Sequence, residues 1–321
     1  MDRTLEFLKD LVDAHGVPGF EDDVAKVMLA GHLDEVGFMV KSVTKEGFVK
    51  FLGLGGWWGH VVLGQRLIIK TRKGDVLGVV GSKPPHELKD EDRKKVLEIR
   101  EMYIDVGATS DWDVKKKLDI RPGDPILPDS GFTPMANPNL MLAKAWDNRI
   151  GCALAAVTAK QLQGVKHPNT VYAVATAQEE VGLRGAQTSA FKVQPDVGFA
   201  LDVGIAHDTP GTEGDEKLGG GPLIVVFDSS SIPNRGLLDL VMETAAKLKI
   251  ALQFESVERG GTDAGKIHVT GQGVPCISMG VPARYIHSHV SIIDRRDFDQ
   301  TVELLVALVK RLDQKTVAGL T

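Results

Sequence analysis

The 321-residue chain has only two cysteines, so a disulfide framework is excluded on count. Cys152 sits in a small-residue helical pattern and Cys276 in the strand-like VPCISMG, and both read as buried thiols. No window approaches the roughly 18 uninterrupted apolar residues of a membrane-spanning helix. The opening MDRTLEFLKDLVDAHG mixes acids with leucines at helical spacing and has no basic segment running into an apolar block, so it does not read as a signal peptide. A cytoplasmic protein is expected. Basic stripes are missing too. The net charge is −5, and the run Asp92-Arg93-Lys94-Lys95 has acidic neighbours and reads as a solvated helix face. That argues against nucleic acid and against an anionic membrane as partners. Aromatics make up 6% of the residues, which offers few platforms for stacking sugars.

What is present is an ordinary globular composition, 43% hydrophobic and 25% charged, in three regimes. Residues 1–40 begin with an amphipathic helical pattern (Leu5, Leu8, Leu11, Val12) and continue into the apolar strand VMLAG, ending at His32. Residues 41–134 carry short alternating runs, GFVKFLGL, QRLIIKT and DVLGVVG, punctuated by glycine and proline, the pattern of a small β-rich unit. Over residues 135–321, strands (TVYAVATA, VGFALDV, GVPCISMG) alternate with helices (WDNRIGCALAAVTAKQL, RGLLDLVMETAAKLKI, DFDQTVELLVALVKRL). The pattern predicts an α/β fold, a mostly parallel central sheet covered by helices on both faces, with the β-rich unit inserted into it. Between Phe20 and Gly31 a helical pattern passes into a strand with no turn residue, an unusually abrupt junction.

In open α/β sheets ligands gather at the carboxyl ends of strands. VMLAGHLDE brings His32 and Asp34 there, TVYAVATAQEE brings Glu179 and Glu180, VGFALDVG brings Asp202, and GVPCISMGVPARYIHSH brings His287 and His289 after a short loop. Asp147, in LAKAWDNRIG, lies where an extended run enters a helix. Each has a bland explanation. Asp147 could cap its helix, and His32 with Asp34 could be a surface pair. Asp202 resists one, because an acid in an apolar strand needs a cation and no Lys or Arg is near it in sequence. Glu179 and Glu180 repel unless something positive lies beside them. A metal on Glu180 would relieve that and leave Glu179 free as general base for a water the metal activates. Charge balance favours two divalent ions, because Asp147, Glu180 and Asp202 with a shared hydroxide match four positive charges. His32 and either His287 or His289 would be neutral ligands, and nitrogen and oxygen donors without thiolate suit zinc or cobalt. The other histidines read as structural. EKLGGGP lacks the features of a phosphate loop, and RGGTDAGKIH reads equally as an active-site loop or a capped turn.

The ordered blocks AGHLDEVGFMV, GGWWGHVVLGQR, MLAKAWDNRIG, ATAQEEVGLRGA, ALDVG, FDSSSIPNR, RGGTDAGKIH and RYIHSH span almost the whole chain. In them the sequence resembles the di-zinc aminopeptidases of the tetrahedral aminopeptidase family, which includes glutamyl aminopeptidases and proteins labelled cellulase M. The resemblance implies that His32 and Asp202 bind one metal, Asp147 bridges, and Glu180 and His287 hold the other. Glu179 would be the general base and Asp34 the catalytic aspartate behind His32. It also implies peptide substrates, a β-barrel-like dimerisation domain at 41–134, a catalytic domain at 1–40 and 135–321, and a twelve-subunit tetrahedral particle. Near Val27–Met28 family members carry a further stretch that this sequence lacks. Two rival readings remain, a glycoside hydrolase using the paired carboxylates without metal and a non-catalytic particle of the same fold.

Overall fold

A computed structural model describes residues 24–320. The expected N-terminal helix and His15 lie outside the described residues. Strand β1 (Ala25–His32) leads into β2 (Gly37–Val43), β3 (Val49–Leu54), β4 (Arg66–Thr71), β5 (Gly74–Gly81), β6 (Tyr103–Asp105) and β7 (Pro125–Pro128). These last six form a closed barrel in the order β2-β3-β6-β5-β4-β7. The chain returns through β8 (Thr133–Pro134) and β9 (Leu140–Ala143) to α1 (Trp146–Leu162), β10 (Asn169–Thr176), α2 (Arg184–Val193), β11 (Val197–Ile205) and β12 (Leu223–Phe227). It continues through α3 (Arg235–Leu248), β13 (Gln253–Ser256), β14 (Cys276–Ala283), β15 (Ser291–Asp294) and α4 (Arg295–Arg311) to a short helix at Gln314–Ala318.

The central sheet runs β10-β1-β11-β14-β12-β13. Neighbours are parallel from β10 to β14, β12 is antiparallel to β14, and β13 is parallel to β12. Near-continuous apolar runs make this possible, because alternate side chains must be buried on opposite faces. On one face Val27, Leu29, Phe199, Leu201, Ile277 and Met279 pack against Leu154, Leu237 and Leu305 of the helices. On the other, Met28, Ala30 and Ala200 meet Ala186 and Ala190 of α2 and Ile267 of the short helix Ala264–Ile267. Burying each large side chain contributes about 1.5–3 kcal/mol.

Several local expectations change. The abrupt junction lies within an intact strand, since Val27 pairs with Val171 and Val197, and Met28 with Tyr172 and Gly198. From Ala25 onward the residues read as helical are strand, because both neighbours complete their backbone hydrogen bonds. β10 is an edge strand with Thr170, Ala173 and Ala175 exposed, not a fully buried one. Asp202 lies inside β11, three residues before its end. Cys276 is buried as expected and Cys152 is half-buried; both are free thiols.

The barrel has its own core of Phe38, Phe51, Leu67, Ile69, Ile104 and Ile126. Phe38 meets Phe51 edge-on at 5.1 Å between ring centres and stacks on Trp57 at 4.4 Å. Its loop after β3 reaches the carboxyl edge of the central sheet.

Candidate active site

The carboxyl ends of β10, β1, β11 and β14 lie along one edge of the sheet, and the parallel register puts their acids and imidazoles together there. Asp147 is central. Its Oδ1 lies 3.2 Å from His32 Nε2 and its Oδ2 lies 3.3 Å from His287 Nε2. His32 Nε2 is also 3.6 Å from Glu179 Oε2 and 3.8 Å from Asp202 Oδ2, while His287 Nε2 is 3.6 Å from Glu180 Oε2. Two overlapping triads place one ligand atom per residue within 4.8 Å of one another: His32, Glu179 and Asp202, and His32, Asp147 and Glu180.

The local chain explains how these side chains are aimed. Asp147 does not cap α1. The cap position is Ala145, without a side-chain cap, and Asp147 and Asn148 leave helical φ/ψ so that the Asp147 carboxylate faces the two histidines. Asn148 anchors this distortion, donating from Nδ2 to Leu201 O at 2.7 Å and accepting from Gly151 N at 2.9 Å. Glycines let α1 press onto the sheet: a Cβ on Gly31 would collide with Gly151, and one on Gly151 with Leu201 O. Non-glycine residues with positive φ flank the cluster at Ala145, Gln178, Leu183, Tyr285 and at His287 itself. Such strain persists only where the surrounding structure fixes it, and it gathers at functional sites.

Asp34 lies just beyond β1. Its backbone oxygen, 3.0 Å from His32 Nδ1, is closer to the ring than its carboxylate, which is 3.6 Å away. The expected carboxylate support of the imidazole is therefore mainly carbonyl support. The carboxylate instead accepts the backbone N–H groups of Glu179 at 3.1 Å and Glu180 at 3.2 Å, fixing the paired glutamates.

Four carboxylates meet two imidazoles here, and among the described residues no Lys or Arg lies within ion-pairing distance of the four. Burial alone would lower the pKa of His32, but its hydrogen bond to Asp147 and the charges of Asp202, Asp147 and Glu179 raise it to about 11. The bond to Asp147 raises His287 to about 9 against the opposing effect of burial. Burial pushes Glu179 up to about 8, helped by Asp263, Glu180 and Asp147 and opposed by His32. Glu180 rises to about 7 through burial and Asp147, and burial holds Asp202 well above the usual range. Burial would raise Asp147 as well, but its two histidine bonds win and lower it. Positive charge is outnumbered here, with four carboxylates facing two imidazoles. Glu180 Oε1 is buried with no hydrogen-bond partner, which fits a donor set built for cations.

His289 stays apart from the cluster. It is buried, edge-on to Trp57 at 5.4 Å between ring centres, and burial lowers its pKa to about 4. Of the histidines read as structural, His207 pairs with Glu216 at 2.8 Å, His167 Nδ1 lies 3.0 Å from Asn169 Oδ1, and His268 bonds Ala264 O. The loop Arg259–Thr262 lines the cavity beside the site, so RGGTDAGKIH is part of its wall. Asp263 is buried and accepts from Thr176 Oγ1 at 2.5 Å. Asp228 accepts from Ser230 and Ser231 and, at 3.2 Å, from Thr262 Oγ1, tying the facing loop to that wall.

Sequence reasoning missed Gly56. From the barrel side, its carbonyl lies 2.9 Å from His287 Nδ1 and orients that ring. The signal was GGWWGH, which carried resemblance without an assigned role. Gly55 beside it has φ +79, and a Cβ there would come within 2.7 Å of Val36 and 3.0 Å of Glu180 Oε2.

A mostly parallel sheet of the zinc-peptidase type, with an acid–imidazole cluster on its carboxyl edge, defines a metal-dependent peptidase. Comparison with known proteins agrees. A sequence model described as M42 glutamyl aminopeptidase matches residues 16–304, and one described as AMPT matches residues 2–28. The chain is 38% identical to a glutamyl aminopeptidase of Lactococcus lactis, over 92% of this chain and 83% of that one. It is 34% identical to a lysyl aminopeptidase of Pyrococcus furiosus, over 97% and 91%. Among solved structures, a TET aminopeptidase from a marine sediment thaumarchaeote superposes with a TM-score of 0.91 at 46% identity, over 96% of this chain and 86% of that one. The TET1 peptidase of Pyrococcus horikoshii, described as assembling into a tetrahedron or a large octahedral shell, gives 0.80 at 29% identity, over 96% and 93%. The chain belongs to the M42 glutamyl aminopeptidase family and is a metal-dependent aminopeptidase.

Proposed function

We propose that the cluster is a two-metal centre for removing N-terminal residues from peptides. His32 and Asp202 would hold one divalent ion and Glu180 and His287 the other, with Asp147 shared between the two sites. The observation that carries this reading is Asp147, whose two oxygens face different histidines at 3.2 and 3.3 Å. Zinc or cobalt suits the donors. Bound there, such ions supply Lewis-acid polarisation of the scissile carbonyl and acidify a water.

The protein's own groups do the remaining work. Glu179 takes the proton of the attacking water and delivers it to the leaving amine. Without metal, burial raises the Glu179 carboxyl to about 8, and cations on the neighbouring acids would bring it down towards the ionised form that accepts the proton. Asp34 positions Glu179 and Glu180 through their backbone N–H groups. The cavity, ≈ 680 Å³, accommodates the N-terminal residue. Glu179→Gln should keep its metal and lose about 10²–10⁴-fold in turnover, checked by elemental analysis beside an aminoacyl-anilide assay. A second assignment has Glu179 ligating with His32 and Asp202, as the first triad suggests. Under that assignment Glu179→Gln would lose metal as well. A glycosidase would keep working in chelator, whereas this centre should stop.

The barrel, which runs from Gly37 of β2 to Pro128 of β7 and so begins just ahead of the expected unit 41–134, is a dimerisation module inserted between the two segments, 1–40 and 135–321, of the catalytic domain. The dimers build a tetrahedral dodecamer, as the shells of the Pyrococcus horikoshii relative suggest. The enzyme works in the cytoplasm. In line with that, no described helix is long and apolar enough to cross a membrane.

A further inference from the structure

The cavity beside the cluster contains a charged group that the reaction does not use. Glu255 on β13 is 3% exposed and lines the same cavity as His32, Asp147 and Asp202. One oxygen, Oε1, accepts the Ile205 N–H at 2.9 Å, while Oε2 is buried with no hydrogen-bond partner. Its place relative to the reacting centre follows from strand geometry. Asp202 and Gly204 are two residues apart on β11 and share a face. A Cβ on Gly204 would collide with Glu255 Oε2, so the missing side chain leaves the room that the carboxylate occupies. The nearest charges are Glu216 and His207, already paired with each other at 2.8 Å.

The same cavity is lined by the aliphatic residues Val225, Val257 and Ile286 as well as by the polar Asp228, Ser229, Ser230 and Thr262. A partly aliphatic cavity with an unpartnered carboxylate oxygen in its wall fits an alkyl chain that ends in a cation. We propose that Glu255 is the specificity-determining residue of this cavity, selecting peptides whose N-terminal side chain is basic, lysine or arginine. The inference rests on the aminopeptidase reading of the adjacent cluster and adds the substrate class. Arg259 lines the cavity too and would favour an acidic side chain, but it is exposed. A solvated guanidinium gains little from a partner, whereas a buried carboxylate with an empty oxygen gains the larger return from a donor. Burial, reinforced by Glu216, raises the Glu255 carboxyl above its usual range, in keeping with that unmet need.

The test uses the metal-loaded full chain with anilides of lysine, arginine, norleucine and glutamate, comparing wild type with Glu255→Gln. Norleucine keeps the alkyl length of lysine without its charge, and glutamine can still accept the Ile205 N–H. Wild type should favour lysine and arginine over norleucine by roughly 10–100-fold in kcat/KM, and over glutamate by more. In Glu255→Gln the lysine-to-norleucine ratio should collapse towards one, mostly through KM. A wild type that turns over norleucine or glutamate as well as lysine would overturn the proposal while leaving the aminopeptidase reading intact. So would a variant that loses all four substrates in step, since that is the mark of a structural role. No turnover of any anilide would sink both.

Discussion

The two cores of the molecule handle polarity in opposite ways. The barrel buries Phe38, Leu67, Ile69, Ile104 and Ile126, and its one buried acid, Asp119, is matched by Arg121 and, at 3.4 Å, by Arg72. The central sheet has a larger apolar core, yet places Asp202, Glu179 and His32 at its edge beside Asp147, with no Lys or Arg paired to these acids among the described residues. An unpaired buried charge costs several kcal/mol. The barrel core therefore adds stability without an unpaired acid, while the sheet carries a standing electrostatic cost at one edge that bound cations would remove.

Substitutions in the two regions should separate stability from activity. Asp147→Asn removes the carboxylate shared by both histidines and lowers the charge that draws cations. We expect turnover to fall more than about 10³-fold, since preorganised charge at a reacting centre is worth about that much, with metal content falling too. The two histidine bonds hold the Asp147 carboxyl below the usual range, so the metal-free fold favours it ionised and Tm of the metal-free protein should fall modestly at neutral pH. A variant that keeps full metal and near-normal turnover would remove Asp147 from the centre. Ile104→Ala, in the barrel, should do the converse. It should cost about 2–5 kcal/mol of stability, measured by denaturant unfolding, while metal content per folded molecule stays at the wild-type level.

How much of this was legible in the sequence depended on periodicity. β1, β11 and β14 declared themselves through apolar runs, and the barrel through short alternating ones, because burial on two faces or one leaves that imprint. The strand-end logic then brought His32, Asp147, Glu179, Glu180, Asp202 and His287 together, since parallel strands share one carboxyl edge. What stayed hidden was non-local. That His289 turns to Trp57 while His287 turns to Asp147 depends on a loop conformation with φ +56 at His287, which spacing cannot reveal. Asp34 contributes through backbone N–H groups some 145 residues away. Glu255 gave no signal in the sequence, and only the absent side chain of Gly204 gives it a place in the cavity.

The finest probe of the contrast lies where the two regions touch. Gly56 belongs to the barrel's loop, yet its carbonyl holds the Nδ1 side of His287 at 2.9 Å. Its backbone is not in the left-handed region, so alanine costs no strain there, in contrast to Gly55. What alanine brings is a Cβ at 2.9 Å from His287 Nδ1, too close for the ring to stay where it is. Gly56→Ala should therefore leave the stability of both cores within about 1 kcal/mol, because it removes no buried apolar group. It should weaken one metal by about 10–100-fold, the usual effect of disturbing the partner that orients a ligating histidine. Titrating metal back after chelation would read this as one of two binding phases moving while the other stays. Were both phases to move together, or neither, the barrel would be a neighbour of the site and no part of its support.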